Sequence, residues 1–303
     1  MKNFFTIALL LVALTRTVAV MAVAPSSKSV NEASDTALTQ QLRDQYLARC
    51  KTIRGVCTQD EWNNKTDITV PSREAFPLIY DMVKELTEKM DMDMPTIQIY
   101  KGTLDTKKTA YFTGIVWRAN AWAEHLFDTD KDRITIGADL LVDPVCQLQY
   151  SELKAVVAHE LAHVKHGHVC KRVNWFFGFW AATAATLAGI RKCTHYATSY
   201  DAVIRLQLAA DITPWVIGVF PLLKVTRLQE EEADRTAATV VDDPTALTRG
   251  LEKLYKMNRR HTNVFNSFGN AFMNFWSTHP TLKDREKYLE EIAAEKSRVA
   301  HVA

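Results

Sequence analysis

The sequence predicts an α+β fold in which several helices flank a small mixed sheet. Residues 74–90 carry apolar side chains at the spacing of an amphipathic helix, and a second helical stretch covers residues 150–166. Residues 96–100 alternate between polar and apolar side chains, as a half-buried strand does. With 303 residues, of which 47% are hydrophobic, the chain is long enough to form one or two domains with a real core.

The first 24 residues have the features of a signal peptide. Lys2 provides a short basic start, residues 4–14 are apolar, and small residues end the segment at Ala24. Arg16 interrupts the apolar run, which favours a cleaved signal peptide over the alternative, a retained N-terminal anchor. The expected location is therefore the periplasm or cell envelope, with membrane association left open.

Residues 25–70 are predicted to form a polar linker followed by a helical arm over residues 36–54. Pro71 suits the first turn of the next helix, because its fixed φ angle fits there and no helical hydrogen bond is lost. Further strands are predicted at residues 110–116, 118–123 and 134–136, with a hairpin tip at 128–132. The remaining elements are an approach segment at 138–142 and a charged amphipathic helix at 281–297.

Five cysteines in an exported chain allow disulfides and leave at least one thiol over. Cys50 and Cys57 are close in sequence, so a local bridge between them is one expectation. Cys170 and Cys193 bracket an apolar segment and could pair if that segment folds back on itself. Cys146 has no evident partner.

The residues from His159 to His163 read His-Glu-Leu-Ala-His, inside the helix predicted at 150–166. Positions i and i+4 lie on the same face of a helix, so the two imidazoles can bind one metal ion together. Histidine nitrogens are common ligands of Zn²⁺, and Glu160 lies beside them as a candidate general base. The motif therefore predicts a zinc site that activates water for hydrolysis.

A third metal ligand is expected from residues 226–234, which read Thr-Arg-Leu-Gln-Glu-Glu-Glu-Ala-Asp. A catalytic zinc site commonly has three protein ligands, and a carboxylate can complete a pair of histidines. Glu230 and Asp234 face the same way, so Glu230 can bind the metal while Asp234 holds a ligand imidazole through its other ring nitrogen. Glu231 and Glu232 point elsewhere on the helix and are expected to be solvated.

Four segments together resemble the zinc peptidase family of HtpX, BepA and the CAAX prenyl endopeptidases. The segment HELAHVKHGH begins at His159, TRLQEEEAD begins at Thr226, and STHP ends at Pro280. The fourth segment, Asn120-Ala121-Trp122-Ala123, matches the edge-strand motif that precedes the zinc helix in that family. Thr226 stands where the family usually has Ser, and Trp122 stands where it usually has Phe.

The resemblance implies a zincin-type metallopeptidase domain over residues 71–300, with one Zn²⁺ per subunit. It implies that His159, His163 and Glu230 bind the ion, that Glu160 is the catalytic base and that Asp234 supports an imidazole. A carboxylate and two histidines leave one metal position for water. The water's proton would pass to the base and then to the leaving amine.

The resemblance also implies how a substrate binds. A polypeptide would add as a strand alongside Asn120, Ala121, Trp122 and Ala123, through backbone hydrogen bonds that depend little on sequence. His279 resembles a family histidine that approaches the metal, where it would stabilise the oxyanion or occupy the open metal position at rest. The remaining alternative for His279 is a structural residue before a proline.

Residues 174–224, between the two metal-binding motifs, are predicted to form an apolar helical hairpin. Residues 175–190 are almost wholly apolar and include several aromatic side chains, and residues 212–223 contain two prolines. A membrane span needs about 20 apolar residues, and both runs are shorter. We therefore expect a hairpin that covers the site or contacts a membrane surface or membrane protein, with membrane-spanning helices as the alternative.

The expected function is that of a zinc-dependent metalloendopeptidase acting on unfolded or misassembled envelope proteins, which is protein quality control. One alternative is a membrane-embedded peptidase with a bilayer substrate. Another is a latent, chaperone-like zinc protein, against which the intact Glu160 argues. A net charge of +2 and the lack of a basic stripe argue against nucleic acid as a partner.

Overall fold

The computed structural model describes residues 32–58, 61, 67–70, 73–101, 121–125, 132–144, 147–197, 199–260 and 281–302. The predicted signal peptide, the strand predicted at 110–116 and Cys146 lie outside these residues. In chain order the elements are α1 (Glu32–Val56), β1 (Asp67–Val70), α2 (Pro77–Met90), β2 (Thr96–Tyr100), β3 (Ala121–His125), β4 (Asp132–Gly137), α3 (Asp139–Val142), α4 (Tyr150–Lys165), α5 (His168–Tyr196), α6 (Tyr200–Thr213), a π-helical segment (Pro214–Val219), α7 (Phe220–Val240), α8 (Thr245–Arg260) and α9 (Leu282–Val302).

Four strands form one mixed sheet in the order β1-β2-β4-β3. The two central strands run parallel, with Ile97 opposite Ile134, and each outer strand pairs antiparallel with its neighbour. Ile99, Ile134 and Ile136 are completely buried, so the central strands contribute directly to the core. The α+β architecture with a small mixed sheet, predicted from the sequence, is confirmed.

Strand β1 corrects the prediction that residues 25–70 form only a linker and a helical arm. Its four residues pair antiparallel with β2, which places Ile68 opposite Ile99. Ile68 is buried in the core. A run of four residues is too short for its alternation to stand out in the sequence, so only the pairing with β2 identifies it as a strand.

The predicted helices are present, with different ends. The arm predicted at 36–54 is confirmed as α1, which is longer at both ends, and the helix predicted at 281–297 is confirmed as α9. Helix α2 begins at Pro77 and not near Pro71, with Pro77 in its first turn. The preceding Phe76 is completely buried, so the chain enters α2 from the core.

Helix α4 lies at the centre of the domain. It packs against α2, α7 and α8 and against the strand β3 at the edge of the sheet. Its buried side chains include small residues that let neighbouring elements approach closely, such as Ala155, Ala158 and Ala162. Because α4 is enclosed on most sides, the two histidines that it carries are held in fixed positions.

Helix α1 caps the N-terminus of α4. The backbone N–H of Tyr150 donates to Thr39 Oγ1 at 2.8 Å, and that of Ser151 donates to Asp35 Oδ1 at 2.8 Å. The Ser151 hydroxyl donates to the other oxygen of Asp35 at 2.7 Å. The first N–H groups of a helix have no partners within it, so the N-terminal arm completes the helix that carries the histidines.

We expect Asp35→Ala to lower the free energy of unfolding by about 1 kcal/mol, the usual cost of losing a helix cap. Urea unfolding followed by circular dichroism measures the change. Asp44→Ala is the matched control, because Asp44 lies on the exposed side of the same helix and accepts a hydrogen bond from Gln40. Equal losses in the two variants would show that the contact between α1 and α4 contributes nothing to stability.

The segment between the two metal-binding motifs forms two long helices. Helix α5 is continuous over 29 residues, and the helical stretch Tyr200–Val240 covers 41 residues. Both are long and apolar enough to cross a membrane, by length and composition. The two apolar runs lie in helices longer than expected, because the helical stretch Tyr200–Val240 continues through Pro214 and Pro221.

These two long helices expose large apolar side chains. Phe177 is 65% exposed, Leu208 is 58% exposed and Val216 is 52% exposed. Little of the most apolar part of either helix is buried against the rest of the described chain. Contiguous apolar surface of this kind marks contact with a membrane or with another protein.

The four described cysteines, Cys50, Cys57, Cys170 and Cys193, are free, so both predicted disulfides are wrong. Cys50 and Cys57 lie seven residues apart on α1 and its end, which separates them by about 10 Å along the helix axis. Cys170 and Cys193 lie on one continuous helix, α5, which does not fold back. A disulfide requires Cα atoms within about 7 Å, which neither arrangement provides.

Candidate active site

Helix α4 places His159 and His163 one turn apart on the same face. Their side chains are 6% and 10% exposed, and their Nε2 atoms lie 3.1 Å from each other. Both Nε2 atoms therefore face one point outside the helix. This is the arrangement that the spacing of four residues predicts.

Helix α7 brings Glu230 to the same point from the opposite side. The two carboxylate oxygens lie 3.5 Å from His159 Nε2 and 3.4 Å from His163 Nε2. Glu230 is 1% exposed, and the ligand atoms of the three residues all lie within 4.8 Å of one another. A carboxylate this deeply buried needs positive partners, and Arg172 on α5 provides one at 2.8 Å.

The three side chains fit a zinc ion. Zinc binds imidazole nitrogen at about 2.0–2.1 Å and carboxylate oxygen at about 2.0–2.2 Å, so neighbouring ligand atoms of a tetrahedral site lie roughly 3.3 Å apart. The two nitrogens lie 3.1 Å apart, and each lies 3.4 or 3.5 Å from a different oxygen of Glu230, distances close to that spacing. Two nitrogens and one carboxylate oxygen also leave a fourth position for water or substrate.

Asp234 contacts the second ring nitrogen of His159, Nδ1. Its Oδ1 lies 2.7 Å from His159 Nδ1, on the side of the ring away from Glu230. Arg285 Nε donates to Asp234 Oδ2 at 2.7 Å, and the Tyr288 hydroxyl donates to the same oxygen. Asp234 is completely buried, so these contacts from α9 fix the carboxylate that in turn orients the imidazole.

Glu160 and the edge strand complete the description of the predicted site residues. Glu160 is half-buried on α4, next to His159. Ala121, Trp122 and Ala123 begin β3, which lies at the edge of the sheet and contacts α4. Asn120 and His279 lie outside the described residues.

The sequence profile of Peptidase family M48 matches residues 75–293. This range covers more than half of the chain and contains every residue of the site. The chain belongs to peptidase family M48. The family resemblance inferred from the four segments is thereby confirmed.

The M48 relatives include three proteins described as protease HtpX homologs. That of Polynucleobacter necessarius is 28% identical over 189 residues, which cover 59% of this chain and 56% of the relative. That of Moorella thermoacetica is 29% identical over 171 residues, which cover 49% of this chain and 56% of the relative. That of Paraburkholderia phytofirmans is 26% identical over 237 residues, which cover 72% of this chain and 74% of the relative. The chain therefore spans about half the length of the first two relatives, and no solved structure gave a significant match.

Arg285 and Tyr288 belong to the site of this M48 chain but lie outside the motifs that predicted it. Arg285 is 5% exposed and Tyr288 is 8% exposed, although both belong to a helix predicted to be charged and amphipathic. The available signal was their spacing, because positions i and i+3 share a helix face with the apolar residues Leu282 and Leu289. An arginine on such a face indicates a buried carboxylate partner.

Glu232 lies on an exposed face, as predicted, but it also contacts two histidines. Its Oε2 lies 3.1 Å from His168 Nε2, and its Oε1 lies 3.4 Å from His166 Nδ1. Although 48% of the Glu232 side chain is exposed, its carboxylate faces a group of histidines at the end of α4. Glu231 is 38% exposed and pairs with Arg235 one turn along α7.

The two facing histidines differ in charge before a metal binds. Burial alone lowers the pKa of His159, but the negative charge of Asp234 and hydrogen bonds to Asp234 and Glu230 outweigh it and raise that pKa to about 10. Burial dominates for His163 and lowers its pKa to about 4. At neutral pH the protein without metal therefore holds His159 protonated and His163 neutral.

We expect zinc binding at pH 7.5 to release about one proton, because His159 must give up its proton to become a ligand. Between pH 7 and pH 9, apparent zinc affinity should rise up to about tenfold per pH unit, since the pKa of His159 lies above this range. Calorimetric titration in buffers of different ionisation enthalpy counts the protons. The Asp234→Asn variant should release fewer protons on binding zinc. If the wild type bound zinc without releasing a proton, the charge state assigned to His159 would be contradicted.

Proposed function

We propose that this chain is a zinc-dependent metalloendopeptidase. One observation carries the proposal: the ligand atoms of His159, His163 and Glu230, all buried, lie within 4.8 Å of one another. Membership of peptidase family M48 supports peptide-bond hydrolysis as the reaction. The proposed stoichiometry is one Zn²⁺ per subunit, bound by these three side chains.

Each residue around the site has a proposed task. When bound, zinc would polarise the scissile carbonyl and lower the pKa of a water molecule toward neutrality. Glu160 accepts a proton from that water and delivers it to the leaving amine. Asp234 keeps the proton of His159 on Nδ1, which leaves Nε2 free to bind the metal.

The proposed task of His279 is to act at the same centre, either by stabilising the oxyanion or by occupying the open metal position at rest. The two roles predict opposite results for His279→Ala. Loss of oxyanion stabilisation lowers the rate of proteolysis, whereas loss of a competing imidazole raises it. An unchanged rate would leave His279 as a structural residue before Pro280.

The proposed substrate is an extended polypeptide that adds as a strand to β3. Two observations support this: β3 contacts α4, the helix that carries His159 and His163, and it pairs with β4 along one side. Backbone hydrogen bonds would supply most of the recognition and give little preference for sequence. Such a site suits unfolded or misassembled proteins, and we propose envelope protein quality control as the role.

We also propose that α5 and the helical stretch Tyr200–Val240 associate with a membrane. The observation in favour is their length together with exposed Phe177, Leu208 and Val216. A hairpin lying in the membrane surface and a pair of spanning helices both fit this composition. In the spanning arrangement, a substrate within the bilayer becomes the second candidate.

The function is tested by digesting one protein in two states. Reduced, unfolded ribonuclease A should be cut at several positions, while the native, disulfide-bonded form should stay intact, because a folded chain cannot offer an extended strand. Mass spectrometry identifies the cuts. Absence of cleavage in both states, with zinc bound, would refute peptidase activity and favour a latent zinc protein.

The membrane proposal is tested by fractionation. Carbonate extraction should leave the chain with the membranes if the two helices span the bilayer and release it if they lie on the surface. A chain found in the soluble fraction before any extraction would contradict membrane association altogether.

A further inference from the structure

The first two turns of α5 contact two of the three candidate metal ligands. His168 Nδ1 lies 2.7 Å from His163 Nδ1, and Arg172 Nη2 donates to Glu230 Oε1 at 2.8 Å. His168 and Arg172 are four residues apart and therefore share one face of the helix. We propose that they are positioning residues which hold His163 and Glu230 in the geometry that binds the metal, an inference that rests on the zinc site proposed above.

The location of protons fixes the direction of the hydrogen bonds around His168. A histidine that binds a metal through Nε2 carries its proton on Nδ1, so His163 Nδ1–H donates to His168 Nδ1. His168 then carries its own proton on Nε2 and donates it to Glu232 Oε2 at 3.1 Å. This chain of bonds ends on a carboxylate and holds the ring of His163 in one orientation and one tautomer.

The two ligand histidines are therefore supported differently. His159 contacts the carboxylate of Asp234 directly at 2.7 Å, whereas His163 reaches the carboxylate of Glu232 through His168. His168 is 1% exposed, so water does not replace it as the partner of His163. Loss of His168 would leave the Nδ1–H of a buried imidazole without its acceptor.

Arg172 holds Glu230 with the geometry of its guanidinium. Its Nε donates to Gln229 Oε1 at 2.7 Å while its Nη2 donates to Glu230, so one planar group restrains two consecutive side chains of α7. Gln229 is 5% exposed. A lysine ammonium cannot reproduce this fork, so the charge alone does not define the role.

Helix α5 is also one of the two long apolar helices. Its exposed part begins immediately after Arg172, with Val173 38% and Trp175 48% exposed. The position of this apolar helix and the geometry of the metal ligands are therefore connected through a single rigid element. A shift of α5 would move His168 and Arg172 together.

Zinc affinity, measured on the full chain by competition with a chromophoric chelator, tests this inference. His168→Leu and Arg172→Met should each weaken zinc binding by about 10- to 100-fold, the usual cost of losing a hydrogen-bond partner of a metal ligand. Their matched controls are His195→Leu and Arg191→Met, which remove the same types of side chain from exposed positions further along α5. The controls should bind zinc as the wild type does, and circular dichroism should show that each variant keeps its fold without zinc.

Conservative variants separate positioning from general packing. His168→Asn should recover part of the affinity that His168→Leu loses, because its Oδ1 can accept from His163, whereas Arg172→Lys should recover little. If His168→Leu does not fold, the zinc affinities of His168→Asn and Arg172→Met test the inference instead. Wild-type affinity in these variants, or an equal loss in the controls, would overturn this inference alone. Failure of the wild type to bind zinc would overturn the proposed function as well.

Discussion

Glu160→Gln should lower the rate of proteolysis by about 100- to 10,000-fold, the range expected for loss of a general base. Glutamine has nearly the same shape as glutamate but cannot accept the proton of the attacking water. Glu160 is not among the three residues whose ligand atoms cluster, so the variant should keep its zinc and its fold. Cleavage of an unfolded casein, with zinc content measured on the same sample, tests both expectations.

Glu231→Gln is the matched control for this substitution. Glu231 is adjacent in sequence to the proposed metal ligand Glu230, but it is 38% exposed and pairs with Arg235. Its amide variant should cut casein at the wild-type rate. Near-normal cleavage by Glu160→Gln would reject Glu160 as the base, and loss of zinc from that variant would assign Glu160 to metal binding.

Removal of Glu230 should have the second large effect. Glu230→Ala should weaken zinc binding by more than the roughly 10- to 100-fold that follows loss of an outer hydrogen-bond partner, because a direct ligand is lost. The substitution also leaves Arg172 without the carboxylate that it contacts at 2.8 Å. Proteolysis should therefore fall with zinc content, and added zinc should restore only part of it.

The neighbouring glutamates provide the comparison for Glu230→Ala. Glu231→Ala should keep zinc fully, because its side chain pairs with Arg235. The zinc affinity of Glu232→Ala should lie between those of Glu230→Ala and Glu231→Ala. Glu232 accepts a hydrogen bond from His168, which in turn supports His163. A variant series in which Glu230→Ala kept its zinc while Glu231→Ala lost it would reject the geometry described for α7.

Much of the metal site follows from local helical periodicity, which the sequence displays directly. His159 and His163 share a face because they are four residues apart, and Asp234 selects Glu230 among three glutamates for the same reason. The structure places Asp234 against His159, as that spacing predicts. These relations depend on one helix at a time, so no knowledge of the tertiary fold is needed.

The outer contacts of the site depend on how separate helices pack, and the sequence does not display that. Arg172 borders an apolar run and resembles a residue that anchors a helix at a membrane surface, yet it binds Glu230. Arg285 belongs to a charged helix and resembles a surface residue, yet it is buried against Asp234. In both cases the partner lies on another helix: Glu230 is 58 residues from Arg172, and Asp234 is 51 residues from Arg285.

The same limit explains the errors in the fold. Strand β1 has four residues and is defined by its pairing with β2, which no local pattern reveals. Cys170 and Cys193 could pair only if the segment between them folded back, but α5 continues through both. The helical stretch Tyr200–Val240 continues through Pro214 as a π-helical segment, which no local sequence pattern reveals.

The central claim is that one zinc ion, bound by His159, His163 and Glu230, is required for peptide-bond hydrolysis. Titration of zinc into chelator-treated wild-type protein, with bound zinc and casein cleavage measured at every point, tests it most directly. We expect cleavage to start near zero, to rise in proportion to bound zinc and to level off at one ion per chain. Full cleavage by the zinc-depleted protein, or none when one zinc is bound, would contradict the claim.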